Sequence, residues 1–396
     1  MEKSKPGYFW KSFYILVSLL LLLLAAPPVR GWWFQGGGRW FYIFLFSFCL
    51  SYLLTPLSRY IAMKLGIMDY PDARKIHSKP TPLLGGIAVY LAFLGAILVN
   101  YIFDQKVGAI LLGGALLVAV GVWDDYKGAP AGSKLLVQIL ATLLLVKSGI
   151  VLNFFPAATT VGAIGNILLT LLWVIGITNA FNFFDGMDGL ATGLGAIIAA
   201  FLGIIAFQTF QPFLGWLSAA IVGSCLGFFP YNFRLRQPAS IFLGDTGSVF
   251  LGFVLASLAV MGEWADNAPF VSLTNPILIF GVLIFDMIYI TVSRIYSKKV
   301  VNFRQWISYV GKDHLHHRLN SVLKNCKSTV IFIFFLSTTL GIGALALRNA
   351  QIVDALLLIS QAAIILVLVT VLERAASIIT RIKEWQKEPK SQRYSG

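Results

Sequence analysis

The hydrophobic positions of this chain run in long blocks broken by Pro, Gly and clusters of charge. The blocks fall at about 11–29, 40–58, 83–102, 107–123, 135–152, 162–178, 190–208, 213–230, 247–262, 273–295, 328–347 and 353–372. Most match the roughly 17 to 25 residues that a helix needs to cross a bilayer. The block at 247–262 is short and glycine-containing, and is the least span-like. The pattern predicts an all-α, polytopic helical membrane protein with about 11–12 transmembrane helices.

Charge sharpens that reading. Hydrophobic residues make up 58% of the chain and charged residues 12%, outside the range of an ordinary soluble domain. With the amino terminus in the cytoplasm, the spans place every one of the 31 Lys and Arg residues on the inner side except Arg30, Arg39, Lys106, Lys147 and Arg348. A wrong span count would scramble that alternation, so the bias toward positive inner loops supports it. The net charge of +14 therefore points to retention of inner loops and to anionic lipid, not to nucleic acid. Cys49, Cys225 and Cys326 have neither metal nor disulfide spacing and are read as packing residues. The first block resembles a signal peptide, but Pro27 and Pro28 follow Ala26 where a cleavage site would need small residues, so the span is expected to be retained.

The chemistry-bearing residues gather at the inner ends of the spans. In "GVWDDYKGAPAGSKLLVQ", Asp124 and Asp125 end one span and Lys134 begins the next. Adjacent helical side chains diverge by about 100°, so the two acids should meet different partners. Carboxylates at a helix C-terminus also oppose the macrodipole, which argues against mere solvated charge. In "NAFNFFDGMDGL", Asp185 and Asp188 stand three apart, with Asn179 and Asn182 upstream. The other ligands of a calcium loop are missing. In "PYNFRLRQPASIFLGDTGS", Asp245 precedes a new apolar helix whose amide groups are placed to hold phosphate oxygens. Asp245 itself suits a hard cation, while Asn232 and Phe242 offer a hydrogen bond and a stacking face for a planar base.

Three of the four histidines fall in "HLHHRL", as His314, His316 and His317 before Arg318. No cysteine joins them and the spacing is not that of a closed zinc site. Donors for a diphosphate fit the surrounding lysines and arginines better, with His314 an alternative anchor for the loop. The segment "RKIHSKPTPLLGGIAVY" adds Arg74, Lys75, His77 and Lys79 to the same face. Together these residues suggest chemistry on a phosphorylated substrate beside the membrane. A transporter or flippase of an anionic or polyprenyl-linked substrate would explain the helices and the basic face. It explains less well why acids and histidines stop at one surface, since transport sites lie near the midplane. A non-catalytic envelope scaffold would tolerate loss of the aspartates.

The ordered set "PTPLLGG", "GVWDD", "NAFNFFDGMDGL", "IFLGDTGS" and "HLHHRL" resembles the polyprenyl-phosphate N-acetylhexosamine-1-phosphate transferases of glycosyltransferase family 4. The "HLHHRL" form resembles the branch that uses UDP-N-acetylglucosamine; the phospho-N-acetylmuramoyl-pentapeptide branch has three consecutive histidines there. The resemblance covers residues 40–372. It leaves 1–39 as an added transmembrane helix and loop and 373–396 as a basic cytoplasmic tail. It implies transfer of N-acetylhexosamine 1-phosphate, most simply GlcNAc 1-phosphate, from a UDP-sugar to undecaprenyl or another polyprenyl phosphate, releasing UMP and initiating an envelope glycan such as lipopolysaccharide O-antigen or teichoic acid. It also implies Mg²⁺ (with Mn²⁺ as substitute), a multi-pass location in the cell membrane with the active face cytoplasmic, and scope for a homodimer. By resemblance Asp245 is the leading metal ligand and Asn182 the second. Asn179, Asp185, Asp188, Asn232 and Phe242 are nucleotide-site candidates. Asp124 or Asp125 is the candidate base for a direct attack by the lipid phosphate, with a covalent aspartyl-phosphate route as the alternative, and Lys79, Lys134, His316, His317 and Arg318 are candidates to serve the phosphates.

Overall fold

A computed structural model of the chain describes residues 8–71, 79–264, 269–302, 311, 313–347 and 350–387. Arg74, Lys75, His77, Asp266, Arg304, Lys312, Arg348 and the chain beyond Lys387 lie outside the described residues. The helices are α1 (Tyr8–Ala25), α2 (Pro27–Gln35), α3 (Arg39–Leu65), α4 (Gly85–Val99), α5 (Gln105–Lys127), α6 (Ala131–Lys147), α7 (Thr160–Phe184) and α8 (Leu190–Gln208). They continue with α9 (Pro212–Asn232), α10 (Gly244–Met261), α11 (Pro269–Ile279), α12 (Gly281–Tyr296), α13 (Leu315–Leu323), α14 (Cys326–Leu345) and α15 (Ile352–Lys387). Strands β1 (Met68–Asp69) and β2 (Thr81–Pro82) form a two-residue antiparallel pair. The molecule is a polytopic helical membrane protein.

Every block read from the sequence has a helix, but two are broken. Among the described residues eight helices are long and apolar enough to span, and up to ten if each bent pair counts as one span. The block expected at 11–29 stops at Ala25, and α2 leaves at 74° with Pro27 as its first residue. The block expected at 273–295 bends by 82° between α11 and α12. Pro276 removes a ladder bond and Gly281 follows at the break, so both causes of a kink coincide. Helix α15 runs to Lys387, past the 372 boundary expected for its span.

The least span-like block became the centre of the fold. Helix α10 is buried from Thr246 to Val260 and packs against α4, α5, α7 and α8. A helix with no polar stripe must be enclosed on all sides, and its glycines and serines let neighbours come close. The serines bond their own backbone, as Ser257 Oγ does to Phe253 O at 2.7 Å. Around α10, the C-terminal ends of α5, α7 and α9 and the starts of α6, α8 and α10 meet at one end of the bundle.

Candidate functional site

At that end lies a cavity of about 620 Å³. Its lining includes Asp124, Asp125, Asn182, Asp185, Asp188, Asn232, Phe242, Asp245 and His317, all singled out in the sequence. Segments more than a hundred residues apart thus share one wall.

The α5–α6–α10 side is closed upon itself. Lys134 Nζ donates to Asp124 Oδ2 at 2.9 Å and to Asp245 Oδ2 at 2.8 Å. Asp124 also accepts the Ala129 N–H at 2.6 Å, which fixes the turn carrying Lys134 into α6. Asp125 points elsewhere, as helical geometry requires. Its oxygens accept the N–H of Asp245 (3.0 Å), the N–H of Thr246 (3.1 Å) and the Thr246 hydroxyl (2.6 Å). The amide groups expected to hold phosphate at the start of α10 are therefore taken by Asp125, because helix N-termini attract any nearby carboxylate. Gly244 permits this junction: its φ is +73°, and a Cβ there would stand 2.6 Å from Asp125 Oδ2.

The α7–α8 turn forms the other wall. Asn182 Nδ2 donates to Ser248 Oγ at 3.1 Å, leaving the amide oxygen for the cavity. Asp188 Oδ2 accepts from Lys327 Nζ (2.8 Å) and from the Ala239 N–H (2.9 Å), tying this turn to the loop after α9. Asn232 bridges Thr192 Oγ1 and Ile241 O. Phe242 is set by its own backbone, donating to Pro82 O at 2.9 Å and accepting from Gly85 N–H at 3.0 Å. Burial, reinforced by the charges of Asp245 and Asp125, pushes the Asp185 carboxyl well above its usual range.

The histidine segment is clamped from α12. Arg294 grips Asp313 with two bonds of 2.7 and 2.8 Å. Burial opposes ionisation of Asp313, but the Arg294 pair outweighs it and holds that carboxyl below its usual range. The His314 ring donates through Nδ1 to Asp286 Oδ2 at 2.8 Å, and Leu315 N–H donates to Asp286 Oδ1 at 2.7 Å. His316 is 1% exposed, and among the described residues neither of its ring nitrogens has a partner. It lies 5.5 Å from Phe184 and 4.2 Å from His317, ring to ring, and its Nε2 sits over Gly186, where a Cβ would come within 2.7 Å. Burial, then the neighbouring His317 and His314, holds His316 well below the usual histidine range. It is a neutral imidazole, a donor and an acceptor but not a cation.

Six expected residues do not line the cavity: Lys134, bonded to two acids that do, His316, packed against His317, and Asn179, His314, Arg318 and Lys79. The Asn179 side chain pairs reciprocally with Gln138 at 2.8 and 3.3 Å and also donates to Ile175 O. His314 is consumed by Asp286. Arg318, one position past His317 and so rotated about 100° on α13, lies 3.8 Å over the Tyr289 ring and 3.5 Å from Glu373. Lys79 is exposed, just before β2.

Asp69, which lines the cavity, and Gln138, Ser248, Asp286 and Lys327, which hold Asn179, Asn182, His314 and Asp188, were not singled out in the sequence. Asp286 carried a usable signal, an acid inside an apolar helix, which is functional by default in a membrane. Lys327 looked like any inner-face lysine, and Asp69 like a loop acid.

Six carboxylates line the cavity, from Asp69, Asp124, Asp125, Asp185, Asp188 and Asp245, and among the described residues Lys134 bonds to Asp124 and Asp245 and Lys327 to Asp188. An anionic substrate needs further positive charge there. Among the described residues, no three His, Cys, Asp or Glu side chains converge on one point to cage a cation. One or two oxygen ligands completed by substrate phosphate is the pattern of a magnesium site. The donors present fit that group.

The profile of "Glycosyl transferase family 4" matches residues 107–263. The chain is 35% identical over 314 residues to a "Probable undecaprenyl-phosphate N-acetylglucosaminyl 1-phosphate transferase" of Bacillus subtilis, covering 78% of this chain and 85% of that one. It is 31% identical to "Decaprenyl-phosphate N-acetylglucosaminephosphotransferase" of Mycobacterium tuberculosis, over 74% of this chain and 79% of that one. It is 29% identical to "Undecaprenyl-phosphate alpha-N-acetylglucosaminyl 1-phosphate transferase" of Yersinia pestis, over 70% and 74%.

Proposed function

The chain belongs to glycosyl transferase family 4, and we propose that it transfers N-acetylglucosamine 1-phosphate from UDP-N-acetylglucosamine to a polyprenyl phosphate at the cytoplasmic face of the cell membrane. The observation that carries this reading is the convergence of residues from four separated motifs on one cavity at the end of the bundle. A site at the helix ends supports surface chemistry over midplane transport. The relatives' printed names supply the sugar and lipid class.

In the proposed reaction a non-bridging oxygen of the lipid phosphate attacks the β-phosphorus of the UDP-sugar. The new P–O bond makes a lipid diphospho-sugar. The bond from the β-phosphorus to the bridging oxygen breaks, and that oxygen leaves with UMP. Such transfers depend mainly on positioning and on stabilising charge. Asp245 and the Asn182 amide oxygen would hold Mg²⁺, which would supply positive charge to the diphosphate. Lys134, held between Asp124 and Asp245, is fixed where it can meet the same oxygens. Asp124 is the better candidate to orient or deprotonate the lipid phosphate, because Asp125 is committed to the start of α10. Since the second phosphate pKa is near 6, much of the acceptor is already dianionic and the base contributes modestly. His317 lines the cavity, and the neutral His316 packs behind it, bonded to no described residue. Phe242 offers its face to the uracil.

Purified protein in detergent, given polyprenyl phosphate, Mg²⁺ and a panel of UDP-sugars, should release UMP fastest with UDP-N-acetylglucosamine. No UMP release with any of them, alongside lipid movement across reconstituted vesicles, would replace the enzyme by a transporter.

A further inference from the structure

A second concavity, about 1100 Å³, opens beside the catalytic cavity between α1, α3 and the loop after α9. Its lining joins three arginines, Arg59, Arg234 and Arg236, to apolar and aromatic walls that include Tyr14, Ile15 and Leu235. Among the described residues no acidic side chain lines it and no carboxylate pairs with any of the three guanidinium groups. Ile15 and Leu235 are 59% and 71% exposed, so the groove opens on the side that faces lipid. The Tyr14, Tyr52 and Tyr231 rings cluster, at 6.3 and 5.1 Å from ring to ring, as amphipathic rings do at the headgroup level. The volume exceeds the roughly 300–1,000 Å³ of a small-molecule pocket.

We propose that this groove binds one anionic phospholipid from the leaflet on the cavity side, its phosphate held by Arg59, Arg234 and Arg236 and its acyl chain lying along Ile15 and Leu235. Charge complementarity sets the headgroup: three guanidinium groups without an acid call for phosphate, and arginine forks match its oxygens. The apolar walls set the rest of the molecule. The occupant is not the reacting lipid, because none of the residues lining the catalytic cavity lines the groove.

The two sites share a wall all the same. The loop after α9 turns Asn232, Pro238 and Phe242 to the catalytic cavity and Phe233, Arg234, Leu235, Arg236, Gln237 and Ser240 to the groove. Its Ala239 N–H holds Asp188, and Ser240 is bonded twice to Tyr231 O, so the loop has little freedom to move one face alone. Helix α1, which contributes Tyr14 and Ile15, thereby acquires a role: it completes a lipid seat.

The test is native mass spectrometry of the full chain from nanodiscs containing equal phosphatidylglycerol and phosphatidylcholine. The wild type should retain one phosphatidylglycerol per chain. Each arginine near a lipid surface contributes about fivefold in affinity, so R59Q/R234Q/R236Q should bind it about a hundredfold more weakly. The lysine triple variant, which keeps charge and loses the fork, should fall between. If the glutamine variant does not fold, Leu235→Glu places a carboxylate at the groove and should expel the same lipid. Equal retention of phosphatidylcholine by the wild type, or undiminished phosphatidylglycerol in the folded variants, overturns the proposal. Retention of polyprenyl phosphate instead would make the groove an acceptor site and also overturn it. Lipid retention is read without turnover, so failure to release UMP speaks only against the proposed reaction.

Discussion

The two walls of the catalytic cavity are built on opposite principles. On the α5–α6–α10 wall every principal charge has a protein partner: Lys134 binds two carboxylates and Asp125 three donors. On the wall made by the α7–α8 turn and α13, Asp188 pairs with Lys327, but the half-buried Asp185 has two like charges, Asp245 and Asp125, as its main charged neighbours, and among the described residues buried His316 has no hydrogen-bond partner. An unsatisfied buried polar group costs about 1–3 kcal/mol. A fold keeps such a group where a ligand completes it. The first wall is paired within the protein; on the second, a bound ligand would be the partner that His316 lacks among the described residues.

The largest expected effect breaks the paired wall at its functional end. Asp245→Asn should lower UMP release by about a thousandfold, the scale of losing a major electrostatic contact, with Mg²⁺-dependent nucleotide binding lost as well. Melting should barely change, since Lys134 keeps Asp124. Near-normal turnover would move the metal role to another acid.

Lys134→Gln should cost about a hundredfold in turnover. Combined with Asp245→Asn it should add little more, because the two share one bond; additive losses would show that they act separately.

On the second wall, His317→Ala should slow transfer roughly ten- to a hundredfold, the value of a donor to a charged oxygen. A zinc-selective chelator should do nothing to the wild type. Stoichiometric zinc, lost together with activity, would overturn the diphosphate reading.

Asp125→Ala tests the opposite end of the comparison. It strands two buried N–H groups and a hydroxyl, so the folded state should lose about 2–4 kcal/mol, seen as a lower melting temperature in detergent. A stable but inactive variant would place Asp125 in the chemistry.

The smallest effect is a pH signature. The folded pKa of His316 lies well below its ordinary 6.5, so the unfolded chain binds its proton first as pH falls. Stability from neutral His316 is present above about pH 6.5 and is lost below it. Asp185, raised in the fold, works in the opposite direction, so the difference between wild type and His316→Gln is the quantity to measure. The two melting curves should converge as pH drops from 7 to 5. A constant gap would mean that His316 titrates normally.

The helical span pattern and the grouping of the motifs at one end of the bundle were legible because both follow from one-dimensional quantities. Block length sets what can cross a bilayer, and charge sets which loops stay inside. The motif residues Asp124, Asp185, Asp188, Asn232, Phe242, Asp245 and His317 were found because acids, amides and histidines are conspicuous in so apolar a chain. Spacing could not tell how they divide. Asp124 and Asp125 are neighbours in sequence, yet one reaches Lys134 and the other caps a helix 120 residues later. His317 faces the cavity while Arg318 stacks on Tyr289. Nor could the pattern foresee that the weakest block, α10, is the enclosed centre, or that Asp286 would hold the histidine segment. Sequence determines what each segment must bury and which groups it carries to the surface. Which donor meets which acceptor depends on the angles at which helices cross, and only the packed bundle decides those.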